Sequence, residues 1–327
     1  MHVRAPGRVN LIGDHTDYTG GLVFPMAIDR YTTITYEHTG NSVHLTSHDE
    51  PGVVDVGLDA AFDHAMEPRW GRYVAAVASL MDAPLAVRGT IETTIPVGAG
   101  LSSSAALEIS CALAMGATLA PRELAQMTQR AEQLATGVPT GIMDQLCIAS
   151  ASEGHGTLID CHTLEITHIP IPDEVNIVVQ FIAHRTLEGS EYATRVAECA
   201  TAESLIGPLR HADISQVDNI ADDIIRARAR HVVSENERVR HFTDALIRGH
   251  YTAAGRLMVG SHQSLARDYA TSNPQMDAAV DAAVNTPGVF GARMTGGGFG
   301  GCIVAMCTPE SSLPGWRVRP TGAASHL

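Results

Sequence analysis

Pro96-Val97-Gly98-Ala99-Gly100-Leu101-Ser102-Ser103-Ser104-Ala105-Ala106 joins two segments of opposite character. Before it, residues 87–94 (VRGTIETT) alternate as a strand does. After it, an Ala/Leu-rich run reads as a helix to about Leu119. Glycines let a loop bring its backbone N–H groups close to an anion. The helix start adds unpaired N–H groups and the positive end of its dipole. Three hydroxyls at that start can cap the helix, bond phosphate oxygens or ligate Mg²⁺; an ordinary turn with one N-cap serine is the plainer alternative. The pattern is not a dinucleotide fingerprint, because position 103 is Ser and no repeated parallel unit follows.

All 22 basic residues are arginine, so the chain has no lysine. A Walker-A loop, a protein-kinase site and Schiff-base chemistry each need one. A phosphate held here therefore relies on hydroxyls, backbone and helix dipole, with Mg²⁺ supplying positive charge. With 36 acidic residues the net charge is −14, which argues against a nucleic-acid partner. No run of 18 apolar residues predicts a membrane span, and the first residues lack a signal-peptide pattern. The six cysteines form no CxxC pair and read as buried free thiols of a cytoplasmic protein. The 16 histidines are scattered, without HExxH.

Working outward, residues 22–28, 31–37 and 43–47 read as strands, and 70–81 as a helix. Helices are predicted at 121–136 and 141–150, and strands at 157–160 and 165–169. The prolines of Ile169-Pro170-Ile171-Pro172 mark the expected boundary between two domains, 1–171 and 172–327. The second opens with a strand over 176–182. It is then mainly helical from Ser190 to Val284, with breaks near Gly207-Pro208, Gly249 and Asn273-Pro274. Two short strands flank Gly296–Gly301, where five of six residues are glycine; a tight hairpin or a backbone approached by something bulky would explain them. The class is α+β.

Two polar spots stand out. Gly7–Gly21 packs Arg8, Asn10, Asp14, His15, Asp17 and Tyr18 into a loop-like stretch suited to carbohydrate hydroxyls, or simply to solvent. Asp144, between apolar residues in Gly141-Ile142-Met143-Asp144-Gln145, reads as a buried carboxylate with a tuned role or as a helix cap.

In order, GRVNLIGDHTDYTGG, PVGAGLSSSAALE, GVPTGIMDQ and GARMTGGGFGGC resemble the galactokinases of the GHMP small-molecule kinase family. Pro68–Val74, His184–Tyr192 and Val233–Arg238 agree, so the resemblance covers about residues 3–307. It implies a two-domain fold, an N-terminal mixed sheet with helices and a left-handed βαβ unit, and a C-terminal α/β sandwich-like domain. It implies ATP- and Mg²⁺-dependent phosphorylation of a sugar's anomeric hydroxyl between the domains. By resemblance, Asp144 and Arg8 are the catalytic pair. Asp14, His15, Asp17, Gly141 and Tyr192, with Asp144, contact the sugar. Trp70 lies near adenine. Gly98, Ala99, Gly100, Leu101, Ser102, Ser103 and Ser104 hold the phosphates, and Ser104 and Glu132 hold Mg²⁺. The third glycine run is expected to support the phosphate loop. Expected partners are a small sugar and ATP, with the chain a monomer or a weak homo-oligomer.

Departures from the family pattern are informative. Asp14 stands where most galactokinases carry glutamate, which shortens the carboxylate's reach by about 1.5 Å. This motivates the alternative of a related sugar: N-acetylgalactosamine, a uronic acid or a pentose. A catalytically silent sugar sensor is a third reading, against which the intact Ser102–Ala106, Arg8 and Asp144 speak. Thr140 stands where cysteine is frequent. The lead before the first motif is short, and no closing helix is expected after Cys307.

Overall fold

The computed structural model describes residues 1–184 and 190–327. Residues 185–189, part of the His184–Tyr192 segment, lie outside the described residues.

The first strand, β1 (His2–Ile12), corrects the loop expected there. Arg8 and Asn10 made the stretch look solvated, yet nearly all of β1 is buried. Its two faces are both covered, by helices of the first domain on one side and by elements of the second on the other. Polar residues on such a strand point into a protein interior, which is how a cleft between domains acquires charged walls.

The two strands expected at 22–28 and 31–37 are one, β2 (Leu22–Glu37). Its register against β1 shifts at Pro6/Gly7, where Tyr31 pairs with Pro6 but Ile28 with Gly7. The bulge lets one strand serve two neighbours, because the 22–23 end pairs with a later strand and the 32–37 end with another. β3 (Ser42–Ser47) was expected; β4 (Val53–Gly57) was not. Helix α1 (Gly71–Leu80) leads to β5 (Val87–Thr93), which lies parallel to β3. Helix α2 (Ser103–Ala114) stops short of Leu119 because Gly116 takes a φ of +90°. α3 (Pro121–Thr136), α4 (Met143–Ser150), β6 (His155–Asp160) and β7 (Glu165–Pro170) complete the first half.

The second half carries β8 (Asn176–Ala183), α5 (Ser190–Ile206), α6 (Ile214–Asp218), α7 (Asp223–Ile247), α8 (Tyr251–Arg267) and α9 (Pro274–Val284). β9 (Val289–Thr295) and β10 (Gly301–Cys307) flank the glycine run, and β11 (Trp316–Val318) and β12 (Ser325–His326) end the chain. The extra helix break near 219–222 falls where Asp222 caps α7 through its side chain.

Among the described residues the strands form two sheets. The larger runs β12-β1-β2-β5-β3-β4, with β6 and β7 attached to β2. The smaller runs β11-β8-β10-β9. The proline-marked boundary thus falls between the last strand of one sheet and the first of the other, while β12 returns to pair with β1. One apolar core fills the space between the large sheet and α1–α4 and extends to Val239 and Phe242 of α7. A second lies between the small sheet and the C-terminal helices. No helix among the described residues is long and apolar enough to cross a membrane, and all six cysteines are free and buried.

Candidate active site

A cleft of about 940 Å³ opens between the two halves. Four elements put polar groups into it: β1 brings Arg8, the start of α2 brings Ser102–Ser104, α3 brings Glu132 and the first turn of α4 brings Asp144.

Asp144 is the point on which these converge. Arg8 grips its carboxylate with two nitrogens, Nε to Oδ1 at 2.7 Å and Nη2 to Oδ2 at 2.8 Å. The remaining Arg8 nitrogen, Nη1, donates to the Gly100 carbonyl at 2.7 Å. One guanidinium therefore fixes the carboxylate and the glycine loop together, a fork geometry that lysine could not supply. Burial lowers the guanidinium's affinity for its proton, but Asp144 and Asp14 outweigh it and hold the Arg8 pKa above the usual value.

Ser102 sits at the N-cap position of α2 in the left-handed region, φ 61°, and makes no side-chain cap. Its hydroxyl donates instead to Asp144 Oδ2. Strain at a non-glycine residue is tolerated where the surroundings fix it, and here it aims a hydroxyl across the cleft. Gly98 and Gly100 have φ of +74° and +79°, so the loop needs glycine at both. Ala99 and Leu101 turn their side chains into the core and offer only backbone. The loop rests on β1, where Arg8 N–H donates to Leu101 O at 3.1 Å. It also rests on the third glycine run, where a Cβ on Gly301 would approach Ala99 O to 3.0 Å.

Behind the serines, Ser104 Oγ donates to Glu132 Oε1 at 2.8 Å. Both groups face the cleft and both are hard oxygen donors, the set Mg²⁺ takes when phosphates and waters complete its shell. Among the described residues no group of three or more His, Cys, Asp or Glu could hold a metal without such help. The pair fits a metal that arrives with a phosphate ligand.

On the other side of Asp144 lie Asp14, His15, Asp17, Gly141 and Tyr192, all lining the same cleft. Asp17 fits only because residue 141 is glycine, since a Cβ there would lie 1.8 Å from Asp17 Oδ2. Burial first, and Asp144 next, push the Asp17 carboxyl up to about 7. At the far end Trp70 lines the cleft half-buried, its Nε1 donating to Pro51 O at 3.0 Å. The candidate side chains picked out along the sequence thus come together, apart from those of Ala99 and Leu101.

Three family models match. The galactokinase galactose-binding signature covers residues 1–38, the N-terminal domain of GHMP kinases residues 72–152, and the C-terminal domain of GHMP kinases residues 242–314. The galactokinase of Chloroflexus aggregans is 40% identical over 333 residues, covering 94% of this chain and 84% of its own. That of Homo sapiens is 40% identical over 329 residues, covering 94% and 83%. The chain belongs to the galactokinase family. It is an ATP-dependent kinase whose acceptor is an alcohol group. The structure of Lactococcus lactis galactokinase complexed with galactose superposes with a TM-score of 0.91 at 29% identity, covering 100% of this chain and 95% of that one. A mevalonate kinase shares the fold at a TM-score of 0.68 and 20% identity.

In this galactokinase-family chain several site residues escaped the sequence reading. Arg293 of β9 is fully buried and pairs with Asp14, Nη1 to Oδ2 at 2.5 Å, while Gly296 N–H donates to Asp14 Oδ1 at 3.0 Å. Burial pushes the Asp14 carboxyl up, with Arg293 and then Arg8 opposing. From α7, Glu235 accepts the Gly13 N–H at 3.0 Å, Asn236 accepts the Leu22 N–H at 2.7 Å, and His231 Nε2 lies 3.1 Å from Asp14 O. Burial holds the His231 pKa at about 4, so it meets that carbonyl as a neutral N–H donor. Arg238 holds Glu235 at about 2 against the effect of burial. Helix α7 thereby clamps both ends of the 13–22 loop from the second domain. The matching segment Val233–Arg238 was visible in the sequence, but nothing there said which backbone it would bind.

Proposed function

We propose that this enzyme transfers the γ-phosphoryl group of ATP to the anomeric hydroxyl of galactose, with Asp144 and Arg8 as its catalytic pair. Galactose phosphorylation is the activity of its family. The observation that carries the reading is the joint grip on Asp144 by Arg8 and Ser102, at the mouth of the glycine loop.

Asp144 takes the hydroxyl proton or orients the hydroxyl through it. Arg8 balances the carboxylate and faces charge developing on the phosphoryl group. Phosphoryl transfer has a loose transition state, so positioning matters more than base strength. Gly98, Gly100 and Ser102–Ser104 hold the phosphates, and Trp70 packs near the adenine. Ser104 and Glu132 would hold Mg²⁺, which supplies charge neutralisation at the phosphates. His15, Asp17, Gly141 and Tyr192 take the sugar hydroxyls. Residues 1–171 and 172–327 act as the two walls of the site.

Coupled ADP release across galactose, glucose, N-acetylgalactosamine, galacturonate and L-arabinose tests the acceptor. Galactose is expected to be turned over fastest; a clear preference for another sugar would overturn that choice. One observation favours a related sugar, since the short Asp14 carboxylate is already engaged by Arg293 and Gly296. Asp14→Glu is expected to raise galactose kcat/KM about fivefold, the worth of one direct hydrogen bond. An unchanged or lower rate would point to a different native sugar.

Asp17 gives a pH signature. An acid whose folded pKa, here about 7, exceeds its unfolded value binds its proton more tightly when folded. Its contribution favours the folded state at low pH, and that advantage is lost as pH climbs from about 4 through about 7. Asp17→Asn removes the titration. Relative to the variant, the parent's melting temperature is expected to fall between about pH 4 and pH 7 and to level off above that. Parallel melting curves would show that Asp17 does not titrate in this range.

A further inference from the structure

Below Ser104 and Glu132 lie two buried residues that have no role in the proposed phosphoryl transfer. Glu108 of α2 and Gln145 of α4 are both fully buried. The Gln145 amide nitrogen donates to Glu132 Oε2 at 2.8 Å and to Glu108 Oε2 at 3.1 Å, which uses both its N–H groups. Gln145 Oε1 and Glu108 Oε1 are then buried with no hydrogen-bond partner. A bare buried acceptor is destabilising, and here two occur together.

We infer that Glu108 is held as the neutral carboxylic acid and closes an acid–amide pair with Gln145, which aims Glu132 at the cleft. A proton on Glu108 Oε1 makes that atom a donor, and the Gln145 oxygen is the waiting acceptor. The pair then has two bonds, acid O–H to amide oxygen and amide N–H to acid oxygen. The second amide N–H remains for Glu132. An ionised Glu108 would leave both of these oxygens bare. Turning the amide over would be worse, because its oxygen would face two carboxylates. Burial, with Glu132 next, pushes Glu108 well above the ordinary carboxylate range. Burial first, and Asp144 next, raise Glu132 as well, against the bonds it accepts from Gln145 and Ser104. The geometry places the proton on the acid that does not reach the cleft and leaves both Glu132 oxygens as acceptors, one for Gln145 and one for Ser104.

The consequence for the metal rests on the proposed role of Ser104 and Glu132. Glu108 and Gln145 are positioning residues, not ligands, and losing groups that orient a ligand weakens metal binding about 10- to 100-fold. Glu108→Gln supplies an amide that can make the same two bonds without ionising, whereas Glu108→Leu cannot. Mn²⁺ binding in the presence of a non-hydrolysable ATP analogue, followed by electron paramagnetic resonance, reads the effect without turnover. Glu108→Gln is expected to bind Mn²⁺ within about twofold of the parent, and Glu108→Leu about tenfold more weakly. Gln145→Met should weaken it similarly and serves where Glu108→Leu fails to fold. Infrared difference spectra of parent minus Glu108→Gln should contain a protonated-carboxyl carbonyl band that persists from about pH 6 to pH 9. Absence of that band, or a Glu108→Gln variant as weak in Mn²⁺ binding as Glu108→Leu or Gln145→Met, overturns the inference. A Glu132→Gln control that binds Mn²⁺ like the parent would sink the metal placement, while the infrared band still decides the acid–amide pair.

Discussion

Asp144→Ala is expected to lower kcat about 10³- to 10⁴-fold while ATP binding stays measurable. The size follows from what the side chain holds. It accepts two bonds from Arg8 and one from Ser102, and it lies beside the glycine loop that Arg8 ties down through Gly100. Removing it deletes the group that takes or orients the hydroxyl proton and frees the guanidinium that faces the phosphoryl group. Asp144→Asn separates these effects. The amide keeps one acceptor oxygen and the shape of the carboxylate, but it cannot receive both Arg8 donors at two oxygens. If orientation dominates, as a loose transition state favours, Asn should recover part of the loss seen with Ala. If proton removal dominates, the two variants should be equally poor. Arg8→Ala combined with Asp144→Ala should cost little more than either alone, because the two act as one unit. Turnover within tenfold of the parent in Asp144→Ala would remove Asp144 from the mechanism. The measurement is kcat by coupled ADP release, with nucleotide binding followed separately by calorimetry.

How much of this was legible in the sequence depends on whether the signal was local. The phosphate loop was, because Gly98 and Gly100 each need a left-handed φ and Ser102–Ser104 mark a helix start within seven residues. β1 was not, because its polar residues read as solvent-facing. Burial of both faces of a strand depends on partners far along the chain, here α7, α8 and β9. The end of α2 is not legible either, because composition favours continuing to Leu119 and Gly116 ends the helix only by taking a φ of +90°. The roles of Glu108, Gln145 and Arg293 were invisible for a related reason. A buried polar residue on an amphipathic helix or strand announces that it has a partner, but not which one. Asp14 and Arg293 are separated by most of the chain, and only the approach of β9 to β1 makes them a pair.

That pair carries the largest expected effect on stability. Arg293 is fully buried and Asp14 is 1% exposed. Two charges taken out of water at such depth contribute little as a pair, but removing one partner leaves the other uncompensated, at about 3–5 kcal/mol. Arg293→Met keeps most of the apolar stem and deletes the charge, so the loss should not be a cavity effect. It should appear as a lower urea midpoint at neutral pH. The remaining partners of Asp14, the Gly296 N–H and the field of Arg8, offset part of the cost but do not replace an ion pair. The sign of the pH dependence is fixed by the same logic. Without Arg293 the Asp14 pKa rises further above its unfolded value. The variant should then regain stability relative to the parent as pH falls, because the folded state takes up the proton that quenches the bare charge. Asp14→Asn in the Arg293→Met background removes the charge altogether and should recover a large share of the loss at neutral pH. A single variant that loses less than about 1 kcal/mol, or a double variant no better than the single, would mean that Asp14 is not ionised in the folded protein. In that case the short carboxylate would meet the sugar as a hydrogen-bond donor, and Asp14→Asn alone should preserve galactose binding.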